Sequence, residues 1–101
     1  MKVDIRETNG IFVALLSGRL DSNQSTFFAD EIQSLFNHSG EQIVIDCEGL
    51  EYICSLGLRI LLRLNKDCAA HGGHLQLRNL NNDIQGFFEL TGFVKLFDIV
   101  H

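Results

Sequence analysis

Glu51-Tyr52-Ile53-Cys54-Ser55-Leu56-Gly57-Leu58-Arg59-Ile60-Leu61-Leu62 decides the fold. A short polar hinge runs into a serine, then a glycine, then a strongly apolar helical pattern. Leu58, Leu61, Leu62 and Leu64 form the stripe, widened by Ile60, Cys68 and Ala69. Arg59, Arg63, Lys66 and Asp67 leave only a narrow polar face, so this helix is expected to lie mostly buried against a sheet. Ser55 stands at its positive end. Its hydroxyl is expected to cap the first free N–H groups, and a phosphate on it would meet those donors and the helix dipole.

Outward from that helix, Ile43-Val44-Ile45 reads as a short buried strand ending in Asp46, and Cys47-Glu48-Gly49-Leu50-Glu51 reads as the hinge. Before it, Val3 and Ile5 alternate with charged residues as a half-buried strand. Asn9-Gly10 is a strong hairpin signal. The apolar run Ile11–Leu16 predicts a central strand covered on both faces, ended by Gly18-Arg19-Leu20-Asp21. Asp21 and Gln24 have capping-box spacing, and Phe28, Ile32, Leu35 and Phe36 fall on one helical face. After Gly72-Gly73, His74–Arg78 alternates as a strand. Asn81 or Asn82 then caps a helix carrying Ile84, Phe87 and Phe88, Thr91-Gly92 closes it, and Phe97–Val100 reads as a last strand.

A hairpin followed by alternating helices and strands implies parallel neighbours and right-handed crossovers. The expected fold class is α/β: a mixed sheet with an antiparallel N-terminal hairpin and helices packed on the sheet. In such sheets sites gather at the carboxyl ends of strands, which is where Asp21, Asp46 and Ser55 are expected.

The 101 residues fit one domain over 1–101, and 46% hydrophobic with 21% charged residues is ordinary globular composition. A net charge of −5 without a Lys/Arg cluster argues against nucleic acid or an anionic membrane surface as partner. Cys47, Cys54 and Cys68 make no disulfide framework, and no segment has signal-peptide or membrane-span character, so a reducing, cytoplasmic setting is expected.

Candidate chemistry is sparse. Cys68-x-x-His71-x-x-His74 straddles the Gly-Gly turn and is read as a core cysteine with helix-end histidines, so no metal is expected. Cys54 is a candidate redox or nucleophilic thiol. Gly-x-Ser-x-Gly fails at Ile53, and no nucleophile–base pair or cofactor loop is visible, so neither an enzyme nor a cofactor is expected. Leu56, Leu58 and Tyr52 are expected to form an exposed apolar edge suited to a partner.

Four marks in order resemble the STAS domain family, in layout the stand-alone bacterial anti-sigma factor antagonists. They are Gly18-Arg19-Leu20-Asp21, Ile43-Val44-Ile45-Asp46, Tyr52–Arg59 and Leu90-Thr91-Gly92-Phe93-Val94-Lys95-Leu96-Phe97. The resemblance covers nearly the whole chain and stops short of the family's terminal helix at His101. It implies that an anti-sigma serine kinase phosphorylates Ser55 and thereby loses its hold, and that a phosphatase reverses the mark. It implies that Asp21 lies near the phosphoacceptor; Asn23, Asp46, Cys54, Leu56 and Gly57 complete the expected support for partner or phosphate. The chain departs from the family at Cys54, where Asp or Ser is common, and at Leu56, where a small residue is. A second reading keeps the scaffold without phosphorylation, as an adaptor module in a transporter or signalling complex.

Overall fold

The computed structural model describes residues 1–100; His101 lies outside the described residues. Strand β1 (Lys2–Thr8) turns at Asn9-Gly10 into β2 (Ile11–Leu20). Both turn residues have positive φ, 53° and 80°, the backbone that a two-residue hairpin needs and that Asn and Gly tolerate. A 3-10 turn, Ser22–Gln24, leads into helices α1 (Ser25–Glu31) and α2 (Gln33–Phe36). Then come β3 (Gln42–Ile53), α3 (Ser55–Ala70), β4 (His74–Arg78), α4 (Asn82–Thr91), a second 3-10 turn at Phe93–Lys95 and β5 (Asp98–Val100).

The strands lie side by side in chain order, β1 antiparallel to β2 and the other neighbours parallel. Right-handed crossovers that always advance in one direction put every helix on the same face. The core agrees. Phe12, Ala14, Leu16, Ile43, Ile45, Leu75 and Leu77 point from the sheet into one cluster with Phe28, Ile32, Leu35, Leu58, Leu61, Leu64, Ile84 and Phe88 from the helices. Among the described residues no helix lies over the opposite face, and Ile11 there is 40% exposed. β2 is therefore covered on one face only, contrary to the expectation from its unbroken apolar run. Its outward Val13 and Leu15 are instead lined by side chains of neighbouring strands, paired with Val44 and Asp46 of β3.

The hinge expected at Cys47–Glu51 is also corrected, since β3 continues through it to Ile53. Two register shifts against β2, between Leu15 and Ser17 and between Gly18 and Arg19, keep the pair together. Gly49 makes the first possible: a Cβ there would stand 2.8 Å from Ser17 Cβ and 3.1 Å from the Leu16 carbonyl oxygen. The long β2–β3 pair carries both strands past the middle of the sheet and sets down two chain ends together.

Candidate functional site

β2 and β3 finish in register, Arg19 beside Tyr52 and Leu20 beside Ile53. One more bond extends the pairing, the Cys54 N–H donating to the Leu20 carbonyl at 2.9 Å. The segment leaving β2 and the segment entering α3 are thus neighbours. Asp21 caps the 3-10 turn, its Oδ1 accepting from the Gln24 N–H at 3.1 Å, and Asn23 is exposed on that turn. Ser25 is buried; its Oγ donates to the Asp21 carbonyl at 3.2 Å and lies 3.7 Å from Cys54 Sγ. The structure brings together Asp21, Cys54, Ser55, Leu56 and Gly57, and leaves Asn23 exposed on the turn that Asp21 caps. It adds Ser25, which sequence periodicity hides among helix residues.

Ser55 is not the cap. Cys54 occupies that position, extended at φ −90° and ψ 170°, and no side-chain hydrogen bond caps the helix. The bond to Leu20 holds Cys54 in strand geometry, so the helix begins one residue after it. Ser55 becomes the first helical residue and is exposed. The first helical bond runs from the Leu58 N–H to the Cys54 carbonyl at 3.0 Å, which leaves the amides of Ser55, Leu56 and Gly57 without an acceptor in the helix. No acidic side chain sits in that first turn. An anion on the Ser55 hydroxyl would meet the positive end of a 16-residue helix.

Gly57 sets how closely the helix enters. A Cβ there would stand 2.7 Å from Leu20 Cδ2 and 3.1 Å from Ile53 Cγ1, so the α3 backbone rests directly on the ends of β2 and β3.

Around Ser55 the surface is apolar. Leu56 is 47% exposed, and Tyr52 is 41% exposed. Leu58, expected on this edge, is fully buried in the core, because it sits on the inward stripe with Leu61. The Arg19 guanidinium lies over the Tyr52 ring, 4.6 Å from its centre. On one side of Ser55 a groove between α1 and α3 is lined by Ala29, Leu56, Arg59, Ile60 and Arg63. On the other, Glu51, Tyr52, Ile84 and Phe87 line a second groove against α4.

Asp46 does not join the site. It lies within β3, opposite Leu15 and Arg78, seven residues before Ile53, or about 20 Å of strand. It is 5% exposed and accepts from Asn79 Nδ2 at 3.0 Å, the Glu48 N–H at 3.0 Å and Arg78 at 3.2 Å. Burial alone pushes its carboxyl up. The three hydrogen bonds and the Arg78 charge outweigh that and hold it below the usual range. Asp46 organises the uncovered face and neither supports nor repels a group on Ser55. Beside it, burial pushes the Cys47 thiol up to about 12. His71 contacts Ser39 Oγ and the Asp67 carbonyl, and His74 bonds Asp98 at 2.7 Å.

The family model described as Mlab, STAS domain matches residues 7–100. The chain is 28% identical over 101 residues to BtrV of Bordetella bronchiseptica, named as an anti-sigma factor antagonist, covering all of this chain and 87% of that one. It is 22% identical over 100 residues to the anti-sigma F factor antagonist of Paenibacillus polymyxa, covering 98% of this chain and 86% of the relative. Among solved structures, an anti-sigma factor antagonist from Mycobacterium paratuberculosis superposes with a TM-score of 0.85 at 22% identity, over 97% of this chain and 83% of that chain. No helix among the described residues is long and apolar enough to cross a membrane.

Proposed function

The chain belongs to the STAS domain family, and from that premise we propose that it is a regulatory module of the anti-sigma factor antagonist kind, working as one domain in the cytoplasm. It binds an anti-sigma serine kinase through the surface around Ser55 and is released when that kinase phosphorylates Ser55. The chain is the substrate. The kinase supplies ATP, Mg²⁺ and a base: the Ser55 oxygen bonds to the γ-phosphorus as the bond to ADP breaks and the hydroxyl proton passes to that base, and a phosphatase uses water to restore the serine and release inorganic phosphate.

The observation that carries this reading is the position of Ser55: exposed, first in a 16-residue helix, next to the exposed Leu56 and three residues after the exposed Tyr52. A phosphate brings a charge of about −1.5 to −2 at neutral pH. The helix end accommodates it within this chain, but a partner packed over Leu56 and Tyr52 would have to desolvate it. Each loss of about 1.4 kcal/mol is tenfold in affinity, so a few such increments make a switch without backbone movement. Incubation with the cognate kinase and ATP, followed by mass spectrometry, tests it. One phosphoryl group on the peptide holding Ser55 is expected; an unmodified chain, or phosphate elsewhere, would end the reading.

Leu56 supports a second reading. At 47% exposure it places an apolar side chain directly beside the serine, a contact that needs no phosphate control. On that reading the chain is a STAS adaptor in a transporter or signalling complex, and Ser55→Asp would leave partner binding intact.

A further inference from the structure

Ser55 and Arg59 stand four residues apart on α3, and both are exposed. That spacing puts their Cβ atoms about 5–6 Å apart on one face. Helix side chains lean toward the N-terminus, so the stem of Arg59 runs back toward the turn that carries Ser55. Among the described residues Arg59 takes part in no ion pair, although the chain has a net charge of −5. Arg63, one turn on, is placed differently: its guanidinium lies 5.9 Å from the centre of the Phe36 ring. Arg59 also lines the groove between α1 and α3 with Leu56 and Ile60, where a partner seated over Ser55 would meet it.

We propose that Arg59 is the side chain that responds to the state of Ser55. With a free serine it faces the groove and is available to a carboxylate of the partner; with a phosphorylated serine it turns back and holds the phosphate. This rests on the reading of Ser55 as a phosphoacceptor and adds the means of release. The planar guanidinium matches two phosphate oxygens at once, and the amides at the helix start face the same group. The net charge of −5 opposes an added phosphate, which makes a cation on the same helix face the more telling. Capture of Arg59 removes a positive charge from the groove while the phosphate adds negative charge beside it. The partner loses on both counts.

The full chain made with phosphoserine encoded at position 55 tests this without any kinase. Phosphorus NMR follows the second ionisation of the phosphate, and nitrogen NMR follows the arginine Nε–H signals. The Arg59 signal is expected to move on phosphorylation. Arg59→Gln is expected to raise the phosphate pKa by roughly 0.3 of a unit, Arg59→Lys to raise it less, and Arg63→Gln to leave it unchanged. Circular dichroism confirms that each variant is folded. A titration unmoved by Arg59→Gln, or moved equally by Arg63→Gln, overturns the proposal. A kinase that leaves Ser55 unmodified counts against the phosphoacceptor reading, whereas an unmoved titration counts against Arg59 alone.

Discussion

The Cys54 amide donates to the Leu20 carbonyl at 2.9 Å, one bond beyond the last paired residues of β2 and β3. That bond makes Cys54 the last extended residue and Ser55 the first helical one. It also brings the Asp21 turn against the start of α3. The site is therefore a product of strand length: a shorter β2–β3 pair would leave Asp21 and Ser55 apart.

Gly57→Ala tests how tightly that entry is packed. Alanine gains about 1 kcal/mol of helix propensity over glycine. Against that, its Cβ would press 2.7 Å from Leu20 Cδ2 and 2.8 Å from Leu20 Cγ. Leu20 is fully buried and Ile53 is 3% exposed, so neither has room to retreat. Overpacking of about 1–3 kcal/mol outweighs the propensity gain. A net destabilisation of about 1 kcal/mol is expected in urea unfolding, and an equal or more stable variant would show that the helix can slide outward.

Asn81→Ala tests the neighbouring helix entry, tied to the same end of β3. Asn81 Oδ1 accepts from the Ile84 N–H at 2.8 Å and caps α4, and its Nδ2 donates to the Leu50 carbonyl at 3.2 Å in β3. Loss of a cap costs typically about 1 kcal/mol, and the Leu50 carbonyl loses a partner besides. A destabilisation of about 1–2 kcal/mol is expected by thermal melting. Asn81→Asp, which keeps the capping oxygen but loses the donor, should recover part of it.

Asp46 gives the fold its acid sensitivity. Its carboxyl is held below the ordinary value of 3.8, so the folded chain binds its proton less readily than the unfolded chain. The stabilisation is present above that ordinary value and is lost as pH falls through the lowered one. Asp46→Asn removes the linkage. Its unfolding free energy is expected to fall less steeply than that of the parent below about pH 4. Parallel slopes for the two proteins would show that other carboxylates set the acid limb.

The hairpin and α3 were legible because their signals are local: Asn9-Gly10 supplies two positive φ angles, and the leucines of α3 keep helical spacing. The second half of β3 was not. Its buried residues Cys47, Leu50 and Ile53 recur every third position, since register shifts break the period of two, and Gly49 looked like a turn when it is a close approach. Asp46 looked like a strand end because the apolar run stops there, but its partners are Arg78, the last residue of β4, and Asn79 just after it, more than thirty residues on. Ser55 looked like a cap because serine favours that position. A long-range strand bond decided for Cys54.

The three cysteines should separate cleanly in a thiol titration of the native protein. Cys47 and Cys68 are each 1% exposed and burial pushes both thiols up, whereas Cys54 is half-buried beside Ser25. One thiol is expected to react rapidly at pH 8, mapping to Cys54, and the other two only on unfolding. Rapid reaction of more than one would mean that the sheet opens in the native state.

Ser55→Asp separates stability from partner control. Position 55 starts a helix whose first turn has no acid, so a carboxylate there is expected to be neutral to stabilising, by up to about 1 kcal/mol. The same carboxylate lies next to the exposed Leu56 and just after the exposed Tyr52, where a bound kinase would bury it. Affinity for the kinase is expected to fall about tenfold or more while the melting temperature holds or rises, and Ser55→Ala should bind like the parent. Calorimetry on the three proteins reads both quantities. A variant that melts unchanged and binds unchanged would move the chain from switch to adaptor, because the charge would then sit outside the interface.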